Sequence, residues 1–401
     1  MKKKPEVVVY GASGYTGKLI SERLIDLGIP FVAAGRDRKR LEHAVANLRN
    51  AKKAQVQVAA VEHDVLALAR VFDGARVAVN VVGPFGQLGR AVADAAFAAR
   101  CHYLDTTGET DWIRLLKDEY GPRFAEEGLL LCPALAYMWA AGQIAAELAL
   151  EDRDIDSLDI VYAPGSAPTI ASTLSFMRMV TRTQYRLVNR ALDPWPHGAA
   201  VLNALPHSHE VVRSLPWGGG AEPLWYEHDK RVRNCRVTVA VQNSQMVDWL
   251  LNCGAEFDKV STTKSESELE ALTNSWGQAV ASTPPREDVN ANRSVISCRA
   301  RGAEAGRDVV LYGAAPYEQT GVFIATGVQR LLESGVRARG FASPAAAFGH
   351  RPLIAALAAA GLHQPEPAPA LSDGEGAPAR RHASQRPAAA EARTGHSGGL
   401  R

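Results

Sequence analysis

Three glycines near the start of the chain have the spacing of a dinucleotide-binding loop. Gly11, Gly14 and Gly17 follow an apolar run and precede a segment with helical periodicity. Glycines let such a turn close tightly and let backbone N–H groups approach a pyrophosphate, which would also face the positive end of the helix. The pattern predicts a nicotinamide-dinucleotide site. The loop residues expected to contact the cofactor are Gly11, Ser13, Gly14, Tyr15, Thr16 and Gly17.

The end of the second predicted strand, residues 31–34, distinguishes NADP from NAD. Arg36 follows this strand, and Lys39 lies one helical turn further on. A guanidinium group suits the 2′-phosphate of NADP, whereas a carboxylate would suit the ribose of NAD. Asp37 lies one residue too late for that role, so the sequence favours NADP(H). A basic, solvated helix start is the alternative interpretation.

Later strand ends supply the remaining predicted cofactor contacts. The fourth predicted strand ends in NVVGPF at residues 80–85. Nucleotides bind at the carboxyl ends of parallel strands, so this loop is expected to border the nicotinamide ribose. A plain strand-ending turn would also contain Gly-Pro. The cofactor contacts predicted outside the glycine loop are Arg36, Lys39, Asp64, Val82, Gly83, Pro84, Phe85 and Gly108.

Strand and helix patterns alternate over residues 1–137, which predicts an α/β fold with a doubly wound parallel sheet of the Rossmann type. Longer strands and less regular helices over residues 138–319 predict a mixed α+β domain for substrate binding or dimerisation. Two helices are expected within residues 320–363. The tail at residues 364–401 lacks hydrophobic periodicity and is predicted to be disordered.

Composition narrows the function classes. The chain has 401 residues and a net charge of +2, which indicates neither a nucleic-acid surface nor a strongly anionic partner. The longest apolar tract, residues 129–142, is too short to span a bilayer. The first residues of the chain lack the apolar core of a signal peptide, so a cytoplasmic location is expected. The five cysteines are scattered and the histidines lack metal-ligand spacing, so no metal is predicted.

Four stretches together resemble the saccharopine dehydrogenase-like oxidoreductases, including their trans-acting enoyl reductase branch. They are residues 11–17 with 34–36, residues 80–85 with Gly89, YLDTTGE at 103–109, and ASPAAAFG at 342–349. The resemblance implies a Rossmann domain, an inserted α+β domain with a cleft between the two, and terminal helices that pack back on the first domain. It also places family cofactor residues on the glycine loop, Arg36, the Gly83-Pro84 loop and Gly108-Glu109.

The chain departs from the family pattern after the fifth predicted strand. Relatives commonly carry a segment similar to G-F-D-S-x-P-x-D, whereas this chain has PALAYMWAAG at residues 133–142. The family's G-G-T-x-x-S stretch is likewise altered around Thr169. Both changes predict a more apolar pocket and leave the substrate within the family open.

Reduction by hydride transfer needs a proton donor in addition to the cofactor. Tyr137 is the candidate donor, although an aromatic residue in an apolar run is also typical of a core. Glu109 is expected to order a ribose or relay a proton, and a helix-start carboxylate is the equal alternative. The predicted catalytic residues are therefore Tyr137 and Glu109. The predicted substrate contacts are Trp139, Thr169 and Arg178.

A predicted helix over residues 172–192 carries an arginine every four residues. Such spacing places them on one face of a helix. The stripe is an ordinary solvated face or a docking strip for an anionic partner, such as a carrier protein. Its members are Arg178, Arg182, Arg186 and Arg190.

These observations favour an NADP(H)-dependent oxidoreductase that reduces an enoyl-type C=C bond of a bulky, apolar or carrier-bound small-molecule substrate. A saccharopine-type imine reductase is the second hypothesis, and it would need cations for the carboxylates of an amino-acid substrate. A non-catalytic NADP-binding sensor or scaffold is the third. An exposed face on the second domain's sheet would suit a homodimer.

Overall fold

A computed structural model describes residues 4–53, 55–196, 198–206, 208 and 210–364. The predicted disordered tail, apart from Gln364, lies outside the described residues. The strands in these ranges are β1 Val7–Tyr10, β2 Phe31–Gly35, β3 Val56–Ala60, β4 Val77–Asn80, β5 His102–Asp105, β6 Leu130–Cys132, β7 Ser157–Pro164, β8 Tyr185–Val188, β9 Ala191–Pro194, β10 Val201–Ala204, β11 Val211–Leu215, β12 Asn234–Val241, β13 Arg293–Arg301, β14 Gly306–Ala314 and β15 Gly340–Phe341.

The α-helices alternate with the strands in the first half and form longer pairs in the second. Two π-helical segments, Leu116–Tyr120 and Tyr137–Ala141, precede α6 and α7. The helices in the described ranges are α1 Tyr15–Asp26, α2 Arg38–Ala46, α3 Val65–Phe72, α4 Phe85–Ala98, α5 Thr110–Leu115, α6 Gly121–Glu126, α7 Gly142–Ala149, α8 Ile170–Val180, α9 Glu222–Tyr226, α10 Ser244–Val260, α11 Glu266–Val280, α12 Pro316–Ser334, α13 Pro344–Phe348 and α14 His350–Ala359.

The first sheet is parallel and has the order β15-β6-β5-β4-β1-β2-β3. Its two central strands, β1 and β4, are buried along their whole length. Apolar residues fill them because helices cover both faces of the sheet. Six of these strands follow the order 3-2-1-4-5-6 that defines the Rossmann arrangement. The predicted fold class is therefore confirmed.

Two strands of this sheet, β6 and β15, lie in segments for which the sequence predicts no strand. β6 has three residues and follows the π-helical segment and α6, while β15 has two residues and lies near the C-terminal end of the described chain. β15 pairs with β6 in parallel register. Helix α12 also returns to the first domain, where Glu318 forms an ion pair with Arg23 of α1 at 3.2 Å.

The second sheet is mixed. Its main path is β10-β11-β12-β7-β13-β14, and β8 pairs with β12 and β9 beside that path. Only the β12–β7 pair is parallel among the described strands of this sheet. One hydrophobic core joins the two sheets, because Val7 and Val9 of β1 belong to the same buried cluster as Ile160 of β7 and Val237 of β12. The two sheets therefore pack around a common core.

The helix predicted over residues 172–192 is wrong beyond Val180. Helix α8 ends there, and β8 and β9 form a hairpin instead. Asn189 and Arg190 make its two-residue turn, with φ of 50° and 67°. Positive φ at both central residues gives the turn that matches the twist of a hairpin, and Asn tolerates it well.

The arginine stripe therefore does not exist as one helical face. Arg178 is buried, whereas Arg182 lies after the helix and faces Glu266 at 3.8 Å. Arg186 on β8 pairs with Asp193 of β9 at 2.8 Å. The guanidinium group of Arg190 donates to the carbonyl of Lys230 at 3.3 Å. These separate contacts remove the basis for an anionic docking strip.

Replacing Arg190 with glycine is expected to stabilise the protein. A non-glycine residue in the left-handed region costs about 1 kcal/mol, which glycine avoids at some cost in backbone entropy. We expect a net gain of roughly 0.5 kcal/mol in urea unfolding. Arg190→Ala is the control, since it removes the same side chain but keeps the strained backbone. A Gly variant no more stable than the Ala variant would contradict the assignment of strain.

Candidate active site

The glycine loop has the geometry of a pyrophosphate cradle. Gly11 has a φ of +96°, and a Cβ there would lie 2.9 Å from Cγ2 of Val82. A Cβ on Gly17 would collide with the carbonyl oxygen of Gly11. Gly14 precedes α1, and no side chain among the described residues caps this helix. Its first N–H groups are thus available to an anion, so the loop fits the pyrophosphate of a dinucleotide.

The end of β2 carries the residues predicted to read the 2′-phosphate. Arg36 and Lys39 are both exposed. Asp37 is committed elsewhere, because its carboxylate accepts the N–H of Arg40 at 3.0 Å and caps α2. This cap engages one oxygen of the Asp37 carboxylate with the backbone of α2. Arg36 also lies close enough to His63 to help burial lower the pKa of that imidazole.

Asp64 and His63 follow β3 on the same edge of the sheet. Asp64 caps α3 by accepting the N–H groups of Leu66 and Ala67, both at 3.0 Å. This cap uses one oxygen of the Asp64 carboxylate, so only the second oxygen is left for the predicted cofactor contact. His63 was missed by the sequence analysis. Its Nδ1 lies 2.9 Å from the hydroxyl of Tyr10, whose ring stacks on the imidazole beside Arg36.

Glu109 holds the loop that precedes α4. Its side chain is completely buried, and its carboxylate accepts the N–H groups of Phe85 at 2.7 Å and Gly86 at 2.9 Å. The Ser175 hydroxyl donates to the same group, and Arg178 donates at 3.0 Å. Burial raises the pKa of Glu109, and Arg178 and Ser175 offset part of the rise. With both oxygens engaged, the geometry favours a positioning role over a proton relay.

Arg178 lies behind this loop and is not among the residues that line the cavity between the two sheets. Its guanidinium group bonds to Glu109 and to Asp111, the latter at 2.7 Å. A Cβ on Gly86 would collide with the guanidinium group, so glycine is needed for the close approach. The expected substrate contact of Arg178 is replaced by a link between α8 and the first domain, because both of its charged partners belong to the first domain.

A cavity of about 360 Å³ lies between the carboxyl ends of the first sheet and the second sheet. From the first domain it is bordered by the predicted cofactor residues Thr16, Gly83, Phe85 and Gly108. Its opposite side is mostly apolar and includes Met138, Trp139, Phe176, Met179, Trp217, Val239, Val241, Met246 and Leu250. None of the described residues that line it is Asp, Glu, Lys, Arg or His.

Tyr137 lines this cavity from the π-helical segment. It is 4% exposed, and its hydroxyl has no hydrogen-bond partner of normal geometry among the described residues. Burial raises the pKa of Tyr137, and the nearby Ser294 hydroxyl offsets part of the rise. Trp139 and Thr169 line the same cavity, and the indole N–H of Trp139 donates to the carbonyl of Gly108 at 3.3 Å.

Sequence analysis missed the contribution of α12 and of the segment before β13. Tyr317 lines the cavity and donates to the Ser172 hydroxyl at 2.8 Å. Tyr15 of the glycine loop packs edge-on against Tyr317, and its hydroxyl donates to the carbonyl of Pro285 at 2.9 Å. Pro316 at the start of α12 was the available signal, since proline favours the first turn of a helix.

Comparisons with known proteins agree with this geometry. Residues 7–125 match the model of the saccharopine dehydrogenase NADP binding domain. The first domain is thus similar to the NADP-binding domain of saccharopine dehydrogenase, which confirms the predicted family resemblance and a nicotinamide dinucleotide as the type of cofactor. Residues 140–370 match the model of a family of unknown function, DUF5938. Because that match covers more than half of the chain, the chain belongs to this family.

Individual relatives are distant. Over 140 residues the chain is 33% identical to a lipid droplet localized protein of Caenorhabditis elegans, covering 33% of each sequence. Over 207 residues it is 28% identical to a trans-acting enoyl reductase of Mycobacterium ulcerans, covering 47% of this chain and 48% of that protein. The matches thus span about a third to a half of these curated relatives.

A solved structure shows the same fold over most of the chain. The apo saccharopine dehydrogenase (L-Glu forming) of Saccharomyces cerevisiae aligns with a TM-score of 0.54 and 11% identity. The alignment covers 90% of this chain and 98% of that one.

Among the described residues, no helix combines the length and the hydropathy required to cross a membrane.

Loss of Arg178 is expected to leave the Glu109 carboxylate buried without its cation. Arg178→Met should destabilise the protein by about 3 kcal/mol, because an uncompensated buried charge is costly. The loss of stability should grow with rising pH. Removal of Arg178 raises the pKa of Glu109 further, so the native variant must hold a proton that the unfolded state releases. Urea unfolding at several pH values measures this.

A double-mutant cycle tests the pairing directly. The double variant Glu109→Gln with Arg178→Met should lose less free energy of unfolding than the two single variants lose together. Arg182→Met is the control, because its closest carboxylates lie 3.8–4.0 Å away and the side chain is partly exposed. Additive effects in the cycle would show that the two side chains are not coupled.

Proposed function

We propose that the chain is an NADP(H)-dependent oxidoreductase that reduces an enoyl-type C=C bond of a bulky, apolar small molecule. The observation that carries this proposal is the cavity beside Gly83 and Gly108, whose described lining has no Asp, Glu, Lys, Arg or His. Apolar walls with a few hydroxyl groups suit an uncharged, hydrophobic substrate. The cavity meets the cofactor residues where a nicotinamide ring is expected.

Proton delivery is the task left to the protein. NADPH, when bound, would supply the hydride for one carbon of the double bond. Tyr137 is our candidate for donating a proton to the other carbon, because the residue lines the cavity and its buried hydroxyl has no hydrogen-bond partner of normal geometry among the described residues. Its raised pKa keeps the hydroxyl protonated at neutral pH. Glu109 acts as a positioning residue that holds the Gly83-Pro84 loop beside the cavity.

The alternative functions find less support. An imine reductase acting on amino acids would need cations for the substrate carboxylates, and the nearby Arg178 is already bonded to Glu109 and Asp111. A non-catalytic sensor would not need a cavity that borders the cofactor residues. A carrier-bound substrate now rests on the likeness to the enoyl reductases alone. A homodimer and a cytoplasmic location stay predictions.

Tyr137→Phe is expected to lower turnover about 100-fold or more, because a positioned proton donor contributes roughly that factor. NADPH binding should change little, since the ring and the glycine loop are kept. NADPH oxidation with enoyl thioesters and unsaturated ketones measures turnover. Tyr185→Phe, on the β8–β9 hairpin, is the matched control. Full activity of the Tyr137 variant would remove it as the donor.

Arg36→Ala is expected to weaken NADPH binding by about 10-fold to 100-fold while leaving NADH binding nearly unchanged. The reason is that only NADPH has a 2′-phosphate for charge-assisted hydrogen bonds. Isothermal titration with both cofactors measures the two affinities. Arg38→Ala is the control, because Arg38 is exposed and faces Glu42 on the next turn. An equal loss for both cofactors would contradict the assignment.

A further inference from the structure

A buried carboxyl group stands behind the wall of the cavity. This wall is the segment Tyr137–Ala141, which leads into α7. Glu222, the first residue of α9, lies behind it with 0% exposure. Tyr162 of β7 connects the two, because its hydroxyl lies 2.7 Å from Oε1 of Glu222 and 2.8 Å from the carbonyl oxygen of Trp139. The N–H of Gly142 donates to the same hydroxyl at 2.7 Å.

Counting protons decides which group donates in this cluster. A tyrosine hydroxyl has one proton and accepts through its lone pairs. The N–H of Gly142 can only donate, whereas the carbonyl of Trp139 can only accept and so takes the hydroxyl proton. The contact between Tyr162 and Glu222 is then a hydrogen bond only if the carboxyl group donates. A carboxylate would instead place two acceptors face to face, away from water.

The groups around Glu222 offer no charge to balance a carboxylate. Tyr162 of β7, Tyr226 of α9, Cys235 of β12 and Cys298 of β13 face it. Among the described residues, no Lys, Arg or His forms a hydrogen bond or an ion pair with Glu222. The nearby carboxyl group on α7, that of Glu147, is already paired with Arg231 at 3.0 Å and accepts the hydroxyl of Tyr226.

The backbone N–H groups at the start of α9 are the remaining polar groups near this carboxyl. Those of Ala221 and of Glu222 itself favour the charged form and lower its pKa in part. Burial outweighs them and raises the pKa of Glu222 to about 8. Glycine is required at position 142, because a Cβ there would collide with the Tyr162 hydroxyl and with Oε1 of Glu222. Geometry and electrostatics therefore both favour the neutral acid.

We propose that Glu222 is a positioning residue that stays a neutral carboxylic acid in the native protein and, by donating its proton to Tyr162, holds the cavity wall in place. Loss of that proton leaves one hydroxyl proton for two acceptors, so the bond to Trp139 or the bond to Glu222 is lost. Tyr162 also packs edge-on against Tyr137 at 5.8 Å and Trp139 at 5.3 Å. The disturbance therefore reaches two side chains that line the cavity.

Any effect of this proton loss on turnover rests on the proposed function, whereas the protonation state of Glu222 does not. Unfolded glutamate releases its proton near pH 4.3, so between there and about pH 8 the native state binds more protons than the unfolded state. The contribution of Glu222 to stability therefore falls as pH rises through this window. The consequence is measurable without any substrate.

The test compares urea unfolding of the wild type and Glu222→Gln at about pH 5, 7 and 9. Glutamine does not titrate, and its amide N–H can still donate to Tyr162. We expect the urea midpoint of the wild type to fall relative to that of the variant as the pH rises. Glu147→Gln, which removes the neighbouring carboxyl beside Tyr226, should keep the pH dependence of the wild type. A constant difference between wild type and Glu222→Gln would overturn the proposal.

A second measurement covers the case in which Glu222→Gln does not fold. Carbon NMR of glutamate carboxyl groups follows Glu222 in the wild type, with its resonance assigned through Glu222→Asp. Titration well above the usual glutamate range supports the proposal, and titration within that range overturns it. Neither readout uses turnover. A protein that reduces no enoyl substrate would therefore sink the proposed function and leave this inference standing.

Discussion

Two backbone N–H groups at the start of α4 donate to one buried carboxylate, that of Glu109, and the geometry of the site depends on these bonds. A helix start leaves N–H groups without partners, and Pro84 in the capping position has no side chain that could accept them. Glu109 accepts them from the end of the neighbouring strand. Because Arg178 and Ser175 of α8 bond to the same carboxylate, it also ties the second domain to the loop that borders the cofactor.

The residues before Glu109 serve the same scaffold. Asp105 is fully buried and accepts the hydroxyl of Tyr103, the indole N–H of Trp112 and the backbone N–H groups of Thr107 and Ala134. Burial raises the pKa of Asp105 to about 6, although these hydrogen bonds favour the charged form. The stretch from Tyr103 to Glu109 is thus a structural motif that shapes the floor of the cleft. Its acidic residues are acceptors for the backbone rather than groups aimed at a substrate.

Periodicity and glycine spacing were sufficient to predict the first five strands and the glycine loop, because those signals are local. The three residues of β6 and the two of β15 carry no such signal, since pairing partners far away in sequence define them. The hairpin around Asn189 was missed because arginines at every fourth position imitate a helix, whereas the turn itself is specified by two residues. The partners of Arg178 and the unpaired hydroxyl of Tyr137 depend on tertiary packing, which spacing along the chain does not encode.

The first sheet takes strands from both ends of the described chain, and this limits which segments of the gene can be moved by recombination. The segment that matches the NADP-binding model stops at residue 125, before β6 and β15 complete the sheet. A recombination event that moved this segment alone would carry a sheet with β5 as a bare edge, open to pairing with other chains. Exchange of the middle of the gene would in turn have to keep the packing between the two sheets, because one hydrophobic core joins them.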